Sequence, residues 1–207
     1  MSGSRAIVLA FTGASGAPYG LRLLECLIGA GRRVHLMFSK PALIVIKTET
    51  DLAMPGRASD QQCFLSDRFG AVDGQLQVFG NEEWTSPVAS GSSLHDGMVV
   101  CPCTTGTLCS IAAGTSRNLI ERAADVALKE RRPLILVPRE TPLSAVHLGA
   151  MLKLAQAGAV ILPPNPGFYH RPDTVDQMVD FVVGRILDHL GIDHSLVPRW
   201  GEGDIET

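Results

Sequence analysis

The stretch 117–141 constrains the fold most, because a charged amphipathic helix is followed at once by a short apolar strand. The apolar side chains recur at helical spacing, at Leu119, Ile120, Ala123, Ala124 and Ala127. Pro133 breaks the helix, and residues 134–137 form an apolar run typical of a buried parallel strand. This order of helix and strand predicts an α/β domain.

The opposite face of this helix is charged. Its members are Glu121, Arg122, Asp125 and Lys129. Asp125 precedes Lys129 by four residues, which is the favourable order for an ion pair, and a solvated ion-pair face remains one interpretation of the helix alone. Residues 139–141, Arg-Glu-Thr, follow the strand at its carboxyl end. Open α/β sheets bind ligands at that end, which favours a functional site.

The rest of the chain alternates in the same way. Strands are predicted at 5–12, 34–38, 75–78, 98–101 and 158–162, and helices after 18, at 42–50, after 107, at 145–157 and at 174–190. Residues 51–95 are the least regular part, with a second short element at 82–89. With 207 residues and 45% hydrophobic content, the chain can bury one core. We predict a single α/β domain over 1–207, a three-layer Rossmann-like or flavodoxin-like parallel sheet, whose tail, about 191–207, is mobile or packs on a neighbour.

Composition argues against several functional classes. A net charge of -3 gives no basic field for nucleic acid, and no run approaches the roughly 20 apolar residues that span a bilayer. The N-terminus lacks the pattern of a signal peptide. Five cysteines, an odd count, fit reduced thiols in the cytoplasm better than a disulfide framework. Cys101 and Cys103 are too close for a usual zinc knuckle and have no second Cys/His pair, so we expect no metal.

Two turns rich in glycine and hydroxyl residues follow predicted strands. They read Gly-Ala-Ser-Gly at 13–16 and Thr-Thr-Gly-Thr at 104–107, and Ser39 ends a third strand. Such turns let a phosphate approach the backbone and the N–H groups of a helix N-terminus. Taken alone, the first turn fits equally well a tight turn with Ser15 as helix cap. Together they predict a pocket for FMN, and no acid stands about 20 residues past the first turn to bind a dinucleotide ribose, which argues against NAD.

Other side chains are candidates for a second site. They are the cations Arg122, Lys129, Arg139 and Arg185, the acids Glu49 and Glu140, and Tyr169. These cations exceed what one cofactor phosphate requires, which suggests a second phosphate that leaves during the reaction. Arg185 lies beside an apolar stripe and is either snorkelling or aimed into a site. Trp84 fits a core or interface position better than a ligand wall.

Eight blocks of sequence resemble the UbiX-type flavin prenyltransferases. They lie at 13–16, 39–40, 48–50, 101–103, 122–126, 128–133, 139–142 and 163–170. The resemblance covers about residues 5–200. It implies a metal-independent enzyme that joins the dimethylallyl group of dimethylallyl phosphate to N5 and C6 of reduced FMN. The product, prenylated FMN, would supply UbiD-type decarboxylases of ubiquinone biosynthesis or aromatic-acid decarboxylation, and the enzyme would be a homo-oligomer, usually a dodecamer.

The resemblance also implies a role for individual residues. FMN would be held by Gly13, Ala14, Ser15, Ser39, Thr104, Thr105, Gly106, Thr107 and Arg139. Dimethylallyl phosphate would be bound by Tyr169 and Arg185, with Arg122, Lys129 and Glu140 around its phosphate. The catalytic set would be Ser15, Glu49, Lys129, Glu140 and Tyr169. Glu49 would manage the proton lost from C6, and Glu140 would share one with the phosphate. An allyl cation would be sheltered by the aromatic faces of Trp84, Tyr169 and Trp200.

The sequence departs from the family pattern in two places. Thr104 and Thr105 stand where many members have Ser-Met or Ser-Ile, and Asn165 and Gly167 vary the proline-rich loop. No chemical group is lost, but the fit of the prenyl pocket is affected.

Two other classes of function remain as alternatives. FMN-dependent cysteine decarboxylases share the expected fold, but they carry a catalytic histidine in the first half and a Pro-x-Met-Asn motif. Neither is found here, since His35 lies inside a strand and His95 before one. A non-catalytic flavin carrier would leave Lys129, Glu140 and Arg185 without a task. A direct aromatic-acid decarboxylase would need a separate site, and the sequence indicates none.

Overall fold

A computed structural model describes residues 5–198 as a parallel sheet between two layers of helices. The strands in this range are β1 (Ala6–Phe11), β2 (Val34–Phe38), β3 (Leu76–Phe79), β4 (His95–Cys103), β5 (Leu134–Pro138) and β6 (Val160–Ile161). The helices are α1 (Ala17–Gly29), α2 (Lys40–Glu49), α3 (Ala58–Phe69), α4 (Thr105–Ala113), α5 (Leu119–Lys129), α6 (Ala145–Gln156) and α7 (Val175–Leu190). The predicted α/β class is confirmed.

The strand order places the two glycine- and hydroxyl-rich turns side by side. The order is β3-β2-β1-β4-β5-β6, and every strand pairs in parallel with its neighbours. This is the doubly wound Rossmann order, in which the direction of winding reverses between β1 and β4. A crevice opens at the carboxyl ends of these two strands, where residues 13–16 and 104–107 leave the sheet.

Both faces of the central strand are covered, which explains its uninterrupted apolar sequence. Ile7, Leu9 and Phe11 of β1 pack in one cluster with α1, α2, α3 and α7. Val8 and Ala10 pack in the other cluster, with α4, α5 and α6. All five side chains are completely buried, so the strand that leads into the first turn is rigidly held.

Several predicted elements differ from those observed. The sequence missed α3, whose inward face buries only Gln61 and Leu65, so its apolar periodicity is weak. Residues 82–89 contain just a short 3-10 turn, Pro87–Ala89. The last strand, predicted as a core strand at 158–162, is a half-buried pair of residues at the sheet edge.

Helix α5 also corrects the predicted charged face. It begins two residues later than the predicted stretch, after Asn118, so Glu121 stands in its first turn. There the Glu121 carboxylate is buried and accepts from the amide of Arg117 at 2.9 Å, satisfying a backbone donor of the preceding turn. Asp125 pairs with Arg122 at 3.1 Å, whereas Lys129 pairs with Glu130.

Cys101 and Cys103 do not form a joint chelate. A register irregularity between Val100 and Cys103 turns the two thiols toward opposite faces of the sheet. Burial raises the pKa of both, to about 12 for Cys103, so each remains a protonated thiol. Within 5–198 no group of three or more His, Cys, Asp or Glu side chains is arranged to hold a metal. No helix in that range has the length and apolar content needed to cross a membrane.

Candidate active site

Thr12 ties the two turns together. Its buried hydroxyl donates to the Pro102 carbonyl at 2.8 Å and accepts from the Thr104 amide at 2.7 Å. The link joins the end of β1 to the start of α4, so it holds the two turns next to each other. Sequence reasoning missed this residue. The available signal was a hydroxyl residue that ends a wholly apolar strand directly before a glycine-rich turn.

The N-terminus of α1 already holds an anion from the chain itself. Gly16 adopts φ 117 and caps the helix, and the amides of Gly16 and Ala17 donate to Glu49 Oε2 at 2.8 and 2.9 Å. The free N–H groups and the dipole of a helix N-terminus favour a negative charge at this point. The sequence suggested a phosphate at this turn, and the structure places the Glu49 carboxylate there instead.

The electrostatics of this turn keep Glu49 ionised. Partial burial by itself raises the pKa of Glu49. The Ser15 hydroxyl, the amides of Gly16 and Ala17 and the charge of Arg139 together outweigh that effect, and the pKa lies below its usual range. Both amides bind Oε2, so Oε1 lies outside these two hydrogen bonds.

The N-terminus of α4 provides a second cradle for an anion. Thr104 Oγ1 accepts from the Thr107 amide at 3.1 Å and donates to Thr107 Oγ1 at 2.9 Å, so two hydroxyls are fixed at the helix start. Gly106 leaves the approach open, since a Cβ there would have no neighbour closer than 3.9 Å. Hydroxyls and N-terminal amides at an open glycine form the donor set expected for a phosphate.

Ser39 and Arg139 extend this edge of the sheet on either side. The Ser39 amide donates to the Phe11 carbonyl at 2.9 Å, which holds Ser39 beside the end of β1. The Arg139 amide donates to the Cys103 carbonyl at 3.3 Å, and Nε of the Arg139 side chain donates to the Ser15 carbonyl at 3.4 Å. Arg139 therefore reaches from β5 across to the first turn. The predicted flavin residues thus line one edge, around the switch point between β1 and β4.

Glu140 lies next to this group, directly after β5. Its side chain is exposed, and its Oε1 accepts from the amide of Thr141 at 3.1 Å. Glu140 therefore lies at the same edge of the sheet as the predicted flavin residues, but its carboxylate binds the neighbouring backbone amide.

Arg122 and Lys129 lie elsewhere in the chain. Arg122 Nε donates to the Ala89 carbonyl at 3.1 Å. Lys129 ends α5, and the chain then enters β5 at its amino end, opposite the edge that carries Ser15. One copy of the chain therefore does not bring Lys129 to the crevice.

Tyr169 and Arg185 share a separate pocket of 470 Å³ on the outer side of α7, and Phe181 of the same helix also lines it. The Tyr169 and Phe181 ring centroids are 6.1 Å apart. The residues that line this pocket include none of the flavin group at the switch point. Trp84 is 48% exposed, so it is not a core residue, and Trp200 lies outside the described residues.

Comparison with known proteins identifies the family. The model of the family described as Flavoprotein matches residues 1–187. The flavin prenyltransferase UbiX of Pseudomonas aeruginosa is 59% identical, over 98% of this chain and 97% of that protein. This chain belongs to the UbiX flavin prenyltransferase family. The resemblance read from the eight sequence blocks is confirmed.

Solved structures agree with this assignment. AnUbiX (PadA1), crystallised with FMN and dimethylallyl pyrophosphate, is 42% identical with a TM-score of 0.86, over 97% of this chain and all of that one. A dodecameric FMN-dependent UbiX-like decarboxylase from Escherichia coli O157:H7 is 41% identical with a TM-score of 0.82, over 94% and 98% of the two chains. The UbiX fold therefore extends along nearly the whole chain.

Proposed function

We propose that this chain is a flavin prenyltransferase that joins the dimethylallyl group of dimethylallyl phosphate to N5 and C6 of reduced FMN. The observation that carries the proposal is the ionised Glu49 carboxylate, held at the same edge as Arg139 and the α4 anion cradle. Membership of the UbiX family, and the relative solved with FMN and dimethylallyl pyrophosphate, support it.

The residues at the switch point fit FMN. Since Glu49 occupies the amides of α1, the phosphate belongs at residues 104–107, whose hydroxyls and open Gly106 supply donors and space. Residues 13–15, Ser39 and Arg139 would line the rest of the molecule. Bound in its reduced form, FMN would supply the two nucleophilic ring atoms to which the prenyl group is attached.

Glu49 would accept the proton that ring closure releases. Its carboxylate is ionised, as a proton acceptor must be, and its Oε1 is outside the amide hydrogen bonds. A flavin covering the crevice would exclude water and raise the pKa of Glu49 toward the working pH, which improves a general base.

Neighbouring copies would complete the donor site. In one chain, Lys129 lies at the opposite edge of the sheet from the flavin group, and Tyr169 and Arg185 line a separate pocket. A dodecameric relative supports an assembly in which these surfaces meet. The cations would stabilise the charge of the departing phosphate, and Glu140 would share a proton with it.

The remaining parts of the proposal concern the setting of the reaction. Prenylated FMN would be passed to a UbiD-type decarboxylase of ubiquinone biosynthesis or aromatic-acid decarboxylation. The protein would act in the cytoplasm. The odd number of cysteines supports this, and so do Cys101 and Cys103, which are buried free thiols.

The test is mass spectrometry of flavin extracted after anaerobic incubation with reduced FMN, dimethylallyl phosphate and a metal chelator. The expected product is FMN that has gained one five-carbon unit, and a parallel reaction with dimethylallyl pyrophosphate compares the two donors. Tightly bound but unmodified FMN would favour a cysteine-type decarboxylase or a flavin carrier. A protein that binds no FMN would contradict the assigned cradle.

A further inference from the structure

Arg185 is held by a chain of hydrogen bonds that ends in the segment after α7. Its Nη1 donates to Asp188 Oδ2 at 2.7 Å, one turn further along the helix. The other oxygen of Asp188, Oδ1, lies 3.2 Å from His194 Nε2. Asp188 thus bridges an exposed cation and a histidine, with one carboxylate oxygen for each.

His194 is fixed more firmly than either partner. Its side chain is 8% exposed, against 54% for Arg185. The Leu196 amide donates to His194 Nδ1 at 3.3 Å, so the neutral ring carries its proton on Nε2 and donates it to Asp188. The ring is therefore anchored by the backbone and orients the carboxylate.

Gly184 makes this arrangement possible. The chain turns back after Gly191, and the His194 ring then lies against α7 at Gly184. A Cβ at position 184 would come within 2.9 Å of His194 Cε1. Any larger residue must displace the ring, so the glycine provides the space that the histidine occupies.

We propose that Asp188 and His194 are positioning residues that aim Arg185 at the phosphate of the prenyl donor. Asp188 takes one terminal nitrogen of the guanidinium and is its one acceptor among residues 5–198, so the remaining N–H groups are left for a ligand in the pocket shared with Tyr169. A guanidinium held in one orientation loses less freedom when it binds phosphate. This inference rests on the proposed function.

Three variants test the inference through different atoms. Asp188→Asn keeps the size of the side chain and removes its charge, His194→Ala removes the anchor, and Gly184→Ala displaces the anchor sterically. For each, we expect the KM for dimethylallyl phosphate to rise about tenfold, the loss of roughly one charge-assisted hydrogen bond, with the affinity for FMN unchanged. Gly184→Ala added to His194→Ala should cause no further rise, because the ring it displaces is already gone.

A matched control lies on the same helix. Asp180 pairs with Arg22 at 2.7 Å on a part of α7 that does not line this pocket. Asp180→Asn should lower the melting temperature by as much as Asp188→Asn and leave the donor KM as it is. A rise in donor KM for all four changes in proportion to lost stability would show a merely structural role and overturn the inference.

Donor binding to protein loaded with oxidised FMN, measured by calorimetry, separates the two proposals. If the wild-type protein turns over and the variants bind the donor as tightly as it does, the positioning role alone is overturned. A wild-type protein that neither binds nor uses the donor overturns the proposed function together with this inference. Tenfold weaker donor binding in the variants, with wild-type turnover intact, supports both.

Discussion

Replacing Glu49 with Gln tests the residue on which the proposed chemistry depends most. Gln keeps the length of the side chain and an oxygen that can still accept from the amides of Gly16 and Ala17. It removes the negative charge and the ability to take a proton. FMN should therefore still bind, whereas the closing of the new ring should slow by about 10²–10⁴-fold, the usual contribution of a general base.

The same substitution should have a small, pH-dependent effect on stability. Losing a charge at a helix N-terminus costs about 1 kcal/mol, less where the group is partly exposed, as here. Because the folded pKa of Glu49 is depressed below about 4.5, its contribution is present above that pH and is lost as the pH falls through the folded pKa. Urea unfolding of the two proteins should therefore differ at pH 7 and converge in acid.

The assay for chemistry follows flavin mass and absorbance after anaerobic mixing, with FMN affinity measured separately by fluorescence. Glu25→Gln is the matched control, since it removes a carboxylate that pairs with Arg22 at 2.8 Å on the outer side of α1. Ring closure at the wild-type rate in the Glu49 variant would refute the role of Glu49 as proton acceptor. Loss of FMN binding would instead mean that the carboxylate supports the flavin site itself.

Three further predictions concern the crevice, the sheet and the donor cations. Thr12→Val leaves the Thr104 amide without its acceptor, so we expect it to lower the unfolding free energy by about 1–3 kcal/mol and to weaken FMN binding. Thr12→Ser should restore both. Equal FMN affinity in titrations of all three proteins would contradict the role of Thr12 in holding the two turns together. Burial and the charge of Arg132 lower the pKa of His95 to about 4, so the folded state binds fewer protons than the unfolded one. Stability should fall by up to about 3 kcal/mol between pH 6.5 and 4, and His95→Gln should flatten this slope in acid unfolding curves. Lys129→Ala breaks only an exposed ion pair, so it should change the free energy of unfolding by less than about 0.5 kcal/mol. It should still impair use of the allylic phosphate, with the affinity for FMN unchanged. Reduced FMN affinity would show that the second phosphate site is misplaced.

Local sequence determined the elements whose burial pattern is simple. Strand β1 is buried on both faces, so its apolar run identified it, and Pro133 marked the boundary between α5 and β5. The polar helix α3 escaped because it buries only two side chains. The strand predicted at 158–162 exists, but it is shorter and less buried than predicted, since it lies at the edge of the sheet. Periodicity reports how much of an element faces the core, so marginal elements are hard to detect.

The meeting of the predicted flavin residues at one edge of the sheet was predictable for a related reason. Each follows a strand, and parallel strands bring their carboxyl ends to one edge, so residues far apart in the chain meet there without further information. The order of the strands, which sets the turns of β1 and β4 next to each other, was not available from any single segment. It depends on which helix covers which face.

The identity of these side chains was therefore a property of the sequence, and their partners were a property of the tertiary structure. Glu49 was a candidate from the sequence, but only the fold places its carboxylate on the amide of Gly16, 33 residues away along the chain. Thr12, His194 and Gly184 likewise act through contacts that no local pattern encodes. Hydrogen bonds and close packing depend on distances in space, and those distances exist only once the sheet and its helices have assembled.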